Sequence, residues 1–140
     1  MYDVDNIAYI YSMENIESAK MYIGNTKDLR TRLAQHIHEF KTGIHYNRDM
    51  QADFDKGAEF HINILAILEQ EDNRKERNAL EAYFVMLYNS LENGYNMVYT
   101  YQDRKHAVEA VQKNAGYIIS CLEKNGIKYS LLENVVEIKL

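Results

Sequence analysis

The chain of 140 residues contains no proline, no tryptophan, a single cysteine and only six glycines. A lone Cys121 excludes an internal disulfide, and metal motifs built on paired cysteines are absent with it. The longest apolar runs, 83–88 and 64–68, fall far short of the ~20 residues that a spanning helix needs. The opening Met-Tyr-Asp-Val-Asp is acidic where a secretory leader is basic and then apolar. Internal repeats, low-complexity stretches and obvious linkers are missing as well. The expectation is a soluble cytoplasmic protein. Composition is ordinary for a globular chain, 46% hydrophobic and 26% charged, which argues against wholesale disorder. The length is ample for one hydrophobic core.

The formal net charge of −5 argues at first against a nucleic-acid partner. Its distribution changes that reading. Residues 1–19 carry four acids and no base, whereas residues 20–48 carry six bases (Lys20, Lys27, Arg30, Arg32, Lys41, Arg48) against two acids. Three histidines lie inside this basic island. An acidic chain can still present one basic surface.

Residues 7–13 are apolar and aromatic, as strands prefer, and a polar stretch separates them from a second strand over 20–24. Two strands this close in sequence most simply pair as an antiparallel hairpin. A helix should follow, capped by Asn25 or Thr26, with Leu29, Leu33, Ile37 and Phe40 at helical spacing and Gly43 as its stop. A shorter helix is expected over 47–56, then a largely buried third strand over 60–68. Asn73 with Glu76 resembles a capping box for the next helix, whose core stripe is Leu80, Tyr83, Phe84, Leu87 and Tyr88. Asn93-Gly-Tyr-Asn96 breaks that helix. A last helix over 103–124 shows Val108, Val111, Ala115, Ile118 and Leu122 on one side, and the tail alternates weakly at Val136, Ile138 and Leu140. The fold class is α/β (α+β): a small three-stranded antiparallel or mixed sheet flanked by helices, with a C-terminal helical extension.

Tyr9-Ile-Tyr11, ten intervening residues and then Tyr22-Ile-Gly24 form the first chemical pattern. It continues in order through Arg32, His36 and His45. The segment His45-x-Asn47-x-x-Met50-Gln51-x-x-Phe54-x-Lys56-Gly57 follows, then Glu81 and, fifteen residues on, Asn96. Over about residues 9–98 this ordered set resembles the GIY-YIG nuclease family, and the middle segment is similar to that of phage and intron-type members. One departure is plain: Tyr9 stands where the first motif has glycine. Tyr9 and Tyr11 share a strand face, and only Tyr11 keeps the ten-residue spacing.

Taken singly, each of these residues has an ordinary structural reading. Tyr11 and Tyr22 would be packing tyrosines among the twelve in the chain, Arg32 and His36 solvated helix residues, and His45 a loop histidine. Phosphodiester hydrolysis needs a nucleophilic water, a base and positive charge for the phosphorane-like transition state. Glu81 can offer one carboxylate to a divalent cation, a habit of Mg²⁺ more than of Zn²⁺. Arg32 offers a fork of donors to phosphate oxygens. A tyrosine, with an ordinary pKa of about 10, is a poor base unless a cation and an arginine pull it down.

The resemblance implies a metal-dependent endonuclease acting on DNA with Mg²⁺ or Mn²⁺, its nuclease domain at residues 1–100 and the extension at 101–140. It implies Tyr11 as base with His45 assisting, Tyr22 positioning water or phosphate, and Arg32 and His36 in the same site. Glu81 would be the metal ligand, and Asn96 a structural polar contact. Lys27, Arg30 and Lys41 of the basic island would face phosphates. The rival readings are a weakened nucleic-acid-binding or regulatory module of the same fold, and an RNA-directed nuclease. Without DNA, a monomer is favoured over a homodimer, because the extension's apolar stripe is expected to pack back on the domain.

Overall fold

A computed structural model describes residues 7–68 and 74–127 of the chain. Its sheet has three strands in the order β2-β1-β3, all antiparallel: β1 Ala8–Asn15, β2 Met21–Thr26 and β3 Phe60–Leu68. Helices α1 Leu29–Thr42 and α2 Arg48–Asp55 fall between β2 and β3. After the sheet come α3 Arg74–Leu87, the single turn α4 Ser90–Asn93, α5 Arg104–Lys113 and α6 Ala115–Lys124.

Alternation along β1 divides the molecule. Ala8 and Ile10 point to an aliphatic core shared with α3, α5 and α6, while Tyr11 and Met13 point to an aromatic cluster with Phe40, Met50 and Tyr95. The pairing of β1 with β3 shifts register between Ile10 and Tyr11: Ile10 faces Ala66, but Tyr11 faces Ile64. Leu65 is the extra residue of a bulge. A bulge reverses the side-chain parity of its strand, so Phe60 joins the aromatic side while Ala66 and Leu68 join the aliphatic side.

That bulge and the edge position of β3 correct the expectation of a buried third strand. Residues 61–64 are exposed, Ile62 and Ile64 among them. Four further expectations shift. The cap of α1 is Asp28, which accepts from Thr31 N, rather than Asn25 or Thr26; Ile37 of the proposed stripe is exposed. Tyr88 is exposed as well, since α3 ends at Leu87. The last helix divides at Asn114, whose Nδ2 donates to Ala110 O at 2.8 Å. Gly43 stops α1 in the left-handed region, at φ 76°, as expected. Asn73 and the tail residues Val136, Ile138 and Leu140 lie outside the described residues.

The extension does pack back. Val108, Val111, Ile118 and Leu122 are buried in the same core as Leu80, Tyr83 and Phe84 of α3. Asn125, just past α6, accepts from Ile67 N at 2.9 Å and donates to Ile67 O at 3.2 Å, taking the place of a neighbouring strand on the β3 edge. Among the described residues, no helix is long and apolar enough to cross a membrane.

Candidate active site

Tyr11 is fully buried, and its position depends on Gly24 across the β1–β2 ladder. A Cβ at residue 24 would lie 2.8 Å from both Cζ and Oη of Tyr11, so only glycine leaves room for the ring. The Tyr11 hydroxyl is 2.9 Å from His36 Nε2, and His36 Nδ1 is 2.7 Å from His45 Nε2. The chain of bonds ends where the backbone N–H of Asn47 donates to His45 Nδ1 at 3.1 Å.

That last donor assigns the tautomers of both imidazoles. A backbone N–H can only donate, so His45 Nδ1 is an acceptor and His45 carries its proton on Nε2. His36 therefore accepts at Nδ1 and donates from Nε2 to the Tyr11 hydroxyl. Burial, the neighbouring His45 and the Arg32 charge hold the His36 pKa down at about 4. Burial lowers that of His45 too. Both rings are neutral at pH 7, as this chain of bonds requires.

The loop after α1 is built to hold His45. Gln51 Oε1 accepts from His45 N at 3.1 Å, and Gln51 Nε2 donates to Phe40 O at 3.0 Å. Asn47 caps α2 through Met50 N and donates to Tyr95 O at 2.6 Å. The sequence segment from His45 to Gln51 thus reads as a bracket for one imidazole. Phe40 stacks on His45 at 4.2 Å between ring centroids, and Tyr46 stacks on its ring at 4.7 Å.

Tyr22 meets Tyr46 hydroxyl to hydroxyl at 2.5 Å. Sequence reasoning did not single out Tyr46, since nothing marks it beyond standing between His45 and Asn47. Arg32 stands beside both Tyr11 and Tyr22 and lowers each phenol's pKa through its charge. Burial still dominates and leaves both phenols raised, with the Glu81 charge adding to the rise. Burial alone would lower the Arg32 pKa, but hydrogen bonding and charge interaction with Tyr11 and Tyr22 outweigh it and raise it. The Arg32 Nε is buried and has no hydrogen-bond partner among the described residues.

Glu81 approaches from α3 on the other side of β2. Its Oε2 accepts from Asn25 Nδ2 at 2.9 Å and from Thr100 Oγ1 at 3.1 Å. Burial raises its pKa, against the pull of those two bonds. Asn96 accepts from Ile23 N and donates to Ile23 O, both at 2.9 Å, and also accepts from Ser90 Oγ at 2.7 Å. It joins the end of the α4 turn to β2. Gly94 permits the approach, because a Cβ there would lie 2.5 Å from Met21 O. Lys27, Arg30 and Lys41 are exposed around α1, away from this buried cluster.

Among the described residues, no group of three or more His, Cys, Asp or Glu could enclose a metal ion. A single carboxylate suits a hard cation that keeps most of its waters and takes the rest of its shell from phosphate. It does not suit a closed zinc site. The residues present therefore fit Mg²⁺ or Mn²⁺ at Glu81.

No curated protein matches the chain. Among solved structures, the fold is similar to a mutant form of the catalytic domain of intron endonuclease I-TevI, with a TM-score of 0.62 and 25% sequence identity. The likeness covers 68% of this chain and 97% of that one. The family model described as the GIY-YIG catalytic domain matches residues 7–96. Most of the chain lies within that match, and the chain belongs to the GIY-YIG nuclease family.

Proposed function

We propose that the chain is an endonuclease that hydrolyses phosphodiester bonds in DNA and depends on a divalent cation, Mg²⁺ or Mn²⁺. The observation that carries this reading is the half-buried Arg32 guanidinium beside two phenols, with its buried Nε left without an acceptor among the described residues. A buried, unpaired donor on a charged group costs on the order of 1–3 kcal/mol unless an acceptor arrives to meet it. A phosphodiester oxygen has the charge and geometry for that donor.

The roles follow from the hydrogen bonds. His36 donates to Tyr11 Oη, so the hydroxyl's own proton is directed elsewhere and a lone pair remains for an attacking water. Neither imidazole has a spare lone pair, since both Nδ1 atoms already accept bonds. The histidines therefore act on Tyr11 and not on the water: they orient it, and the His36 N–H steadies the phenolate formed when Tyr11 gives its proton to solvent, which then takes the proton of the attacking water. Tyr22, held by Tyr46, positions water or phosphate. Arg32 meets the charge that develops on the phosphoryl oxygens. A cation held by Glu81 would supply further positive charge to the transition state and offset the upward push of Glu81 on both phenols.

Lys27, Arg30 and Lys41 are proposed to face the phosphate backbone. The compartment proposed is the cytoplasm, and the free protein is proposed to be a monomer, consistent with the burial of the extension's stripe in its own core. Supercoiled plasmid incubated with Mg²⁺ should be nicked or linearised, and EDTA should stop it. Glu81→Gln should bind DNA and fail to cut. A wild-type rate in that variant, or cutting in excess EDTA, would overturn the reading. Cleavage of RNA but not DNA would favour the RNA-directed rival.

A further inference from the structure

Resting on the reading of Glu81 as a metal ligand, we propose that Asn25 and Thr100 are positioning residues for it. The segment after residue 96 is then a working part of the metal site.

Two donors from distant parts of the chain converge on one atom. Asn25 Nδ2 comes from β2, one residue past the glycine that accommodates Tyr11, and lies 2.9 Å from Glu81 Oε2. Thr100 Oγ1 comes from the connection between α4 and α5 and lies 3.1 Å from the same oxygen. Both donors are neutral. The charges of Arg77 and Arg32 already act on Glu81; an amide and a hydroxyl fix the carboxylate without adding a further positive charge to compete with a cation. With the pair on Oε2, Oε1 is the atom they leave to the cation.

A glutamate side chain has three rotatable bonds, and α3 fixes only its root. Freezing those bonds when the metal arrives would cost rotamer entropy, while a carboxylate already held loses little. The contact from Thr100 is itself secured. Asn96 ties the start of the connection to Ile23, and Tyr99 is buried in the aliphatic core with its hydroxyl 3.0 Å from Arg104 Nη1. Asp103 caps α5 by accepting from His106 N. Thr100 is thus held between anchors at 96, 99 and 103. The family match ends at 96, so this donor comes from the segment just beyond it.

Binding of Mn²⁺ alone to the full chain, followed by electron paramagnetic resonance, tests the idea apart from cleavage. Thr100→Val removes the donor at nearly constant shape and should weaken Mn²⁺ binding by about tenfold. Thr100→Ser should restore it. Asn25→Ala should weaken binding as Thr100→Val does, and the double variant of these two should lose more than either alone, with thermal midpoints close to wild type for the Thr100 variants. Glu81→Gln serves as the reference. If it loses Mn²⁺ while Thr100→Val and Asn25→Ala bind as tightly as wild type, the positioning role is wrong and the ligand reading stands. If Glu81→Gln binds Mn²⁺ as wild type does, the ligand reading fails and the proposal with it.

Discussion

The two faces of the sheet are built from different materials. On one side, Ala8, Ile10, Ile23, Ala66 and Leu68 meet the aliphatic faces of α3, α5 and α6. On the other, Tyr11, Met13 and Phe40 surround His36 and His45, which are as thoroughly buried as any core leucine. An aliphatic core is non-directional and tolerates repacking so long as volume is kept. The aromatic side is directional: each buried polar atom from Tyr11 to Asn47 needs its own partner in its own tautomer. The first side holds the chain folded, and the second fixes the Tyr11 phenol in a single hydrogen-bonded position. Glu81 comes from α3 on the aliphatic side and bonds to Asn25 of β2, and Asn96 bonds to the backbone of Ile23 on the same strand.

The sharpest break of this comparison removes one atom from the aromatic side. Tyr11→Phe keeps the ring over Gly24 and deletes the hydroxyl, so DNA cleavage should fall by roughly 10²–10⁴-fold while the thermal midpoint hardly moves. Tyr9→Phe should cleave at close to the wild-type rate. Single-turnover assays on the two variants check the ranking, and the reverse order would unseat Tyr11.

On the aliphatic side the effect should be opposite in kind. Leu122→Ala empties a fully buried position on α6 and should cost about 2–5 kcal/mol of stability. Urea titration measures that loss. Below the melting transition, the cleavage rate per folded molecule should stay near wild type.

Acid should separate the faces further. The His36 pKa is held at about 4, against an ordinary value of about 6.5. Between those limits the unfolded chain takes up a proton that the folded chain refuses, so stability falls as pH drops through the window. The curve from this group is flat above the upper limit and below the lower one, and the total loss is roughly 3 kcal/mol. Urea midpoints measured from pH 7 to pH 4 should show this slope, and His36→Gln should flatten it.

The smallest effect belongs to the surface. Lys41→Ala or Arg30→Ala should weaken DNA binding modestly and without regard to sequence. Each should also reduce the salt slope by about 1 for every phosphate it no longer neutralises. Charge changes on α5 and α6 should matter less. Binding measured by anisotropy across a salt series tests this, and a slope unchanged by both substitutions would remove α1 from the interface.

Much of the fold was legible because it is local. The hairpin, the stop at Gly43, the short helix after Asn47 and the stripe of α3 apart from Tyr88 follow from spacing and turn chemistry. The third strand was misread because an apolar run looks alike whether it is central or at an edge, and the bulge at Leu65 carries no signature of its own. The candidate site was legible as an ordered pattern, but His36 alone resembled a solvated helix residue. Tyr46 and Thr100 bore no mark at all and Asn25 was marked only as a helix cap, because their partners lie 24, 19 and 56 residues away along the chain.

By itself, the sequence determined the family, the antiparallel hairpin and residue types that suit phosphodiester hydrolysis, since these rest on order and short-range periodicity. Only the tertiary structure decided which nitrogen of each histidine carries its proton. It alone placed an unused Arg32 donor beside two phenols and set two neutral donors on one oxygen of Glu81. Hydrogen-bond partners and burial are properties of side chains brought together from far apart, and no spacing along a chain encodes which atoms will meet.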